Sequence, residues 1–474
     1  MAASSMALAS RWLWLPVFLA AALALGQEGI PVEDGGEIET VSALGGVNHP
    51  PGMPLLSLLG RTFWLMSPEW GLRLLFALLA SISVLLLTER AGVSGRLLGL
   101  LVLALPAFGE RLLAWDAYGP LFLLAALSLL VVRSGTTGRS AILTGYIAGL
   151  GCALHLQGLM LLLPALLCAR GKAARLAQAV LGFGLALSLY LLLPISSSAG
   201  LVVDWGSCGS LSALLRQVTA AGYREVYEGI GRLSTDTLAL HLGTIWRLLW
   251  PGLLLPVLAL LLLSLRPARG FLAPVLRPPE ATSPFGRRDR RAAAPVLGLL
   301  LASLVLLDLV FVLLVNPMAA GTSQTGAITL LVLIVLGIEG LRRLRHAAAA
   351  VVLGFALVLG LPFRSGLPDQ EAAISNVLAG SPMRTALVLE SNDLLYGCWS
   401  ACYARDARPD VVLMSTQNFS GWFEDMVSHF HPGFDLSASV LDVGGYDLPR
   451  DVVAGRLIQA AIEANPGYTF LSDR

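Results

Sequence analysis

Apolar stretches long enough to cross or dip into about 30 Å of hydrocarbon recur along the chain. They fall near residues 12–26, 71–88, 97–110, 119–132, 141–168, 175–195, 246–265, 294–315, 323–340 and 347–363. The polar segments between them alternate in charge. Arg90 and Arg96 share one segment, Arg133 and Arg139 the next but one, and Arg170, Lys172 and Arg175 a third. A fourth cluster runs from Arg266 to Arg291, and Arg342, Arg343 and Arg345 make the fifth. The positive-inside rule puts all five clusters on the cytoplasmic side, so the intervening segments are expected to face outward.

The stretch 141–168 lies between two basic clusters, so both of its ends are expected in the cytoplasm. As one helix it would be roughly 42 Å long, too long for an untilted crossing and short for two full ones. Gly149, Gly151 and Gly158 interrupt its middle. Two short helices meeting at His155 on the outer side satisfy both observations; one long tilted helix is the alternative. With that hairpin the pattern predicts a mainly α, polytopic transmembrane protein of about eleven spans, with its N-terminus inside and its C-terminus outside. The start of the chain imitates a signal peptide, with Arg11 before an apolar run to Leu25, and it reads as an uncleaved first span. The membrane domain is expected over 1–363, with outward loops at 27–70 and 196–245 and a basic linker at Pro278–Arg291. Residues 364–474 read as a small extracytosolic α/β domain. Its strands are expected at Thr385–Ser391, Asp410–Ser415 and Tyr468–Ser472, and its helices from Asp393 and near 419–430 and 450–463.

Composition agrees with a bilayer setting. Of the 474 residues 56% are hydrophobic and 13% charged, about half the charge of a soluble domain. A formal charge of +1 leaves no footprint for nucleic acid. The five cysteines include Cys398 and Cys402 on one helix face, a spacing that fits neither a redox pair nor a zinc site, so packing is their expected role.

Chemistry concentrates in the first outward loop. It carries Glu28, Glu33, Asp34, Glu37, Glu39 and Glu69 against a single base, Arg61. Asp34 and Glu37 flank Gly35-Gly36, which reads as a turn that lets the backbone approach a ligand. The rigid turn His49-Pro50-Pro51-Gly52 follows. Each residue also has a purely structural reading. Asp34 or Glu37 could cap a helix starting near Ile38, and His49 could only brace its turn. Asp116 could cap the span beginning at Tyr118 or pair with Arg111. His155 could be a polar contact between helices, and Asp204 with Trp205 an interfacial anchor. Asn392 and Asp393 are expected only to cap their helix.

Asp34-x-Gly36-Glu37 followed by His49-Pro50-Pro51-Gly52-x-Pro54-Leu55 resembles the signature of the protein O-mannosyltransferase-like family, many of whose bacterial members carry only a domain of unknown function. That family is similar to the polytopic C-type glycosyltransferases, which take sugar from a polyprenyl-phosphate donor on the outer side of the membrane. Trp115-Asp116-Ala117-Tyr118 resembles an acidic-x-Tyr motif of the family, which usually has Glu. His155 resembles the His of an Asn-His motif, with Leu154 replacing the Asn. Asp204-Trp205-Gly206 with Tyr223 resembles its Asn-Trp-Gly segment and following helix, and Arg408-Pro409-Asp410-Val411 matches a C-terminal turn. Ser207-Cys208 and Ala221-Gly222 depart from the pattern, at positions suited to substrate contact.

The resemblance implies an inverting glycosyltransferase of a bacterial inner membrane. It would move a hexose such as mannose from a polyprenyl-phosphate donor to a protein hydroxyl or an envelope glycan. The transfer needs a carboxylate to take the acceptor's proton and a cation or hydrogen-bond donor for the departing phosphate. Asp34 is the expected base, and Glu37 is expected to orient the acceptor or a divalent cation. Arg61, Arg111 and His155 are the candidate phosphate ligands, and His49, Asp116, Tyr118, Asp204, Trp205 and Tyr223 complete the expected substrate contacts. Two other classes compete. A transporter or lipid-sugar flippase would show duplicated halves and mid-membrane polar groups, and a silent scaffold would bind a partner through residues 364–474.

Overall fold

The computed structural model describes residues 13–26, 29, 34–88, 92–104, 112–135, 137–221, 239, 243, 303–308, 310–311, 370–416, 421–436, 438 and 450–472. The chain is mainly helical. It divides into two compact units: Met1–Gly26, Phe76–Leu189 and Tyr223–Ser365 make the first, and Gln27–Leu75, Tyr190–Gly222 and Gly366–Arg474 the second. Among the described residues two helical runs, Gly71–Thr88 and Ala173–Ser198, are long and apolar enough to cross a membrane. The spans expected at 246–265, 323–340 and 347–363, most of 294–315, and the linker Pro278–Arg291 lie outside the described residues.

The first unit is built on a seam of small residues. The Gly138–Cys152 helix turns Gly145 and Gly149 toward Ala179, Gly182 and Ala186 of the Ala173–Leu187 helix. A Cβ on Gly145 would stand 2.1 Å from the Ala179 carbonyl oxygen, so the two backbones touch as small-residue helix pairs do in membranes. The same helix ends at Cys152, and His155 adopts extended backbone (φ −161°, ψ 152°). His155 caps the short 3-10 helix Leu156–Leu161, whose N-terminal backbone needs an acceptor. The Leu162–Ala169 helix then packs back along Gly138–Cys152, with Cys168 against Thr144. The 141–168 stretch is therefore two helical arms meeting at His155.

The second unit joins segments from three parts of the chain. Strand β1 (Gly46–Val47) pairs in parallel with β2 (Val203–Asp204), Gly46 opposite Val203 and Val47 opposite Asp204. Strands β3 (Thr385–Leu389), β4 (Val412–Ser415) and β5 (Thr469–Ser472) form a parallel sheet in the order β4-β3-β5. β3 is the central strand and is buried at every position, as its unbroken apolar run requires. The helices Asn392–Trp399, Gly421–Phe430 and Arg450–Ala464 accompany it, and Trp399 is fully buried among Leu387, Leu413, Phe423 and Met426. Ser391 caps the Asn392–Trp399 helix by accepting the Leu394 N–H at 3.5 Å, the position expected of Asn392 or Asp393. The shift has a simple cause: Ser391 holds the extended backbone a cap needs, and its neighbours are already helical. Arg408 forms a two-bond ion pair with Asp410, 2.7 Å on each side, and donates to the carbonyls of Leu378, Ser381 and Pro382, locking the turn before β4.

Candidate active site

The Gly35–Leu44 helix carries the acidic motif. Asp34 precedes it, and the Asp34 carbonyl accepts the Ile38 N–H at 3.0 Å. The Asp34 side chain makes no capping bond; its Oδ2 lies 3.9 Å from His49 Nε2. Gly35-Gly36 is the first turn of the helix rather than a ligand-facing turn. Its close approach is to the Tyr396 carbonyl oxygen, which a Cβ on Gly36 would meet at 2.3 Å. The glycine thus lets this helix lie against the Asn392–Trp399 helix.

Glu37, one position further, is fully buried. One of its oxygens accepts the His49 backbone N–H at 2.6 Å, and the other meets His49 Nδ1 at 2.5 Å. The turn that presents His49 is closed by the Gly52 N–H donating to the His49 carbonyl at 2.7 Å. Gln217 Nε2 donates to the Asn48 carbonyl at 2.8 Å, and Asn48 Nδ2 to Ser57 Oγ at 2.7 Å, so the turn is pinned from both flanks. The His49 ring meets Trp205 edge-on at 6.3 Å, and Trp205 packs on Trp422 at 4.4 Å between centroids. Asp204 accepts a 2.6 Å bond from Ser197.

Burial pushes the Asp34 carboxyl above its ordinary range; the His49 imidazolium pulls it back, while Glu37 and Asp393 push it up. Burial also opposes charge on His49, but Glu37 and Asp34 outweigh it and raise the imidazole to about 9. Burial raises the Asp204 carboxyl as well, against the Ser197 bond. Both Glu37 oxygens are engaged by His49. Among the described residues no group of three or more His, Cys, Asp or Glu side chains is placed to hold a metal ion.

Three other candidates gather in the first unit. Asp116 Oδ1 accepts the N–H groups of Tyr118 at 2.8 Å and Gly119 at 3.2 Å, capping the Tyr118–Ser134 helix. The Tyr118 hydroxyl lies 3.4 Å from His155 Nε2, and His155 Nδ1 accepts the Gln157 N–H at 3.2 Å. That bond requires a lone pair on Nδ1, so the ring carries its proton on Nε2. Arg61 is elsewhere: its Nη1 donates to the carbonyls of Ser42 and Ala43, bracing the C-terminal end of the Gly35–Leu44 helix. Arg111 and Tyr223 lie outside the described residues.

Sequence reasoning missed three elements. Glu39, nearly fully buried, is held by Arg405 at 2.9 Å and by the Ser400 hydroxyl, partners some 360 residues away that no spacing could reveal. Trp422, the support of Trp205, left no signal either. Asp308, fully buried and accepting a 2.5 Å bond from Gln157 Nε2, was visible as a lone acid inside the apolar stretch 294–315. No protein-family model matches the chain, and no curated protein is significantly similar to it.

Proposed function

We propose that the chain is a polytopic membrane glycosyltransferase of the C type, working on the extracytosolic face of a bacterial inner membrane. It takes a hexose such as mannose from a polyprenyl-phosphate donor and gives it to a protein hydroxyl or an envelope glycan. One observation carries the reading. Asp34 is a carboxylate with no capping duty, 21% of its side chain accessible, set beside an imidazole that two carboxylates favour as the cation. That is the arrangement a general base needs: reachable, beside a cation and held in place.

In the reaction Asp34 takes the proton from the acceptor hydroxyl as its oxygen bonds to the anomeric carbon. The bond from that carbon to the phosphate oxygen breaks, and the lipid phosphate leaves with the electron pair, inverting the centre. Trp205 offers an aromatic wall next to the base. Within the first unit, His155 with Nε2–H is a hydrogen-bond donor rather than a fixed cation.

The membrane setting is supported by the helical run Ala173–Ser198. It leaves Leu176, Val180, Leu181, Leu185, Leu191 and Ile195 between 47% and 61% exposed, far more apolar surface than a water-facing helix carries. A transporter or lipid-sugar flippase is the second reading, favoured by the buried Asp308–Gln157 pair in the first unit.

Two measurements decide. Transfer of radiolabelled sugar from polyprenyl-phosphate hexose by purified protein supports the enzyme; lipid flipping in liposomes without transfer supports the transporter. For sidedness, Met383→Cys (82% exposed) should react with a membrane-impermeant thiol reagent in intact cells and Ser134→Cys should not. All five native cysteines are buried, so their background is low. The reverse labelling would put Asp34 on the cytoplasmic side and end the proposal.

A further inference from the structure

We infer that His49 is the positioning residue of this site, clamped by Glu37 so that its charged ring holds Asp34 as the carboxylate. The inference deepens the glycosyltransferase reading and rests on it for its kinetic arm only.

Glu37 has no access to solvent, and both its oxygens are spent on His49, one on the backbone N–H and one on Nδ1. It cannot touch a substrate; whatever it does for a reaction passes through the imidazole. A carboxylate 2.5 Å from Nδ1 requires the proton there, which leaves Nε2 to face Asp34 at 3.9 Å. With Glu37 bonded at Nδ1 and the Asp34 carboxyl at ion-pair distance from Nε2, the doubly protonated ring is favoured. The backbone bond to Glu37 fixes the ring's tilt as well as its charge, because the same carboxylate grips main chain and side chain.

The surrounding groups make this cation necessary. On the helix side stand Glu37 and, further along and bound to Arg405, Glu39. The Asn392–Trp399 helix contributes Asp393, which acts on Asp34. Trp205, just after strand β2, lies against the ring, with Asp204 held by Ser197. Among the described residues, the groups other than His49 that act on Asp34, Glu37 and Asp393, disfavour its ionised form, as does burial. Without His49 the remaining influences on Asp34, burial together with Glu37 and Asp393, all push its carboxyl up, toward the form that cannot take a proton from the acceptor.

The test is histidine hydrogen–deuterium exchange at the ring carbon, read by mass spectrometry on the full chain across pH. It reports the ionisation of His49 without any assay of transfer. Wild type should show its inflection near pH 9. Glu37→Gln should lower it by about one unit or more, since the largest favourable charge is lost. Asp34→Asn should lower it less, and it serves if Glu37→Gln does not fold. A wild-type inflection near the ordinary ~6.5, or no change in a folded variant, overturns the inference. In the kinetic arm, His49→Gln should move the acid limb of the kcat/KM profile to higher pH by about one unit. His49→Lys, which keeps a cation, should leave that limb near its wild-type position. Coincident limbs for His49→Gln and wild type also overturn it. If wild type transfers no sugar, the enzyme reading fails while the exchange measurement still decides the ionisation of His49.

Discussion

His49, in the second unit, has a carboxylate at each ring nitrogen, whereas His155, in the first, has a backbone N–H at Nδ1 and a phenol at Nε2. An imidazole set between carboxylates is favoured as the cation, whereas one whose Nδ1 accepts a backbone N–H keeps a lone pair there. At His49 burial penalises the imidazolium and the neighbouring carboxylates outweigh that penalty. An acidic motif followed by a histidine is thus chemically richer than either piece read singly. A histidine in a glycine-interrupted apolar stretch is not by itself a cation for phosphate.

The contrast can be broken most directly at Asp34. Asp34→Asn keeps the shape and cannot take a proton at neutral pH, so transfer should fall by roughly 10²–10⁴-fold with thermal melting unchanged. A structural Asp34 would leave turnover near wild type. His155→Ala should instead raise the donor KM, about tenfold or less in kcat/KM for the loss of one neutral donor. If the two variants lose activity equally and in kcat alone, Asp34 and His155 do not divide the work as described.

Stability offers a smaller contrast. Arg405→Met would leave Glu39 buried with only the Ser400 hydroxyl as a partner. Because the Arg405 side chain is 34% exposed, the expected loss is about 1–3 kcal/mol, between the values for surface and buried pairs. Melting in detergent would read it, and an unchanged midpoint would make the pair decorative. Tyr118→Phe removes a long 3.4 Å contact, and should cost about 0.5 kcal/mol or less. A larger loss by the same measurement would mean that the His155 site is more tightly organised than its bonds suggest.

What was legible in the sequence follows the range of the forces involved. The strands Thr385–Leu389 and Val412–Ser415 sit in largely apolar runs, because both are buried throughout and that burial is written locally, whereas the edge strand Thr469–Ser472 is mostly exposed. The break at His155 was written in nearby glycines. Asp34, Glu37 and His49 were visible as a cluster, since they lie within sixteen residues of one another. Their partnership was not, because nothing in a one-dimensional motif says that Glu37 would face the ring rather than a substrate. Gly36 was read as a turn for want of the Tyr396 carbonyl that explains it. Arg61 was counted as a spare cation because the carbonyls it braces belong to backbone, which every sequence hides.

The bond between Glu39 and Arg405 also sets an order in time. The ribosome releases the Gly35–Leu44 helix early, more than 360 residues before its buried carboxylate can meet Arg405 and Ser400. Gly36 waits as long for the Tyr396 backbone it packs against. The acidic helix therefore reaches its final setting only when the last quarter of the chain has emerged. A growing polypeptide therefore has no finished setting for this helix until its distant partners have been made.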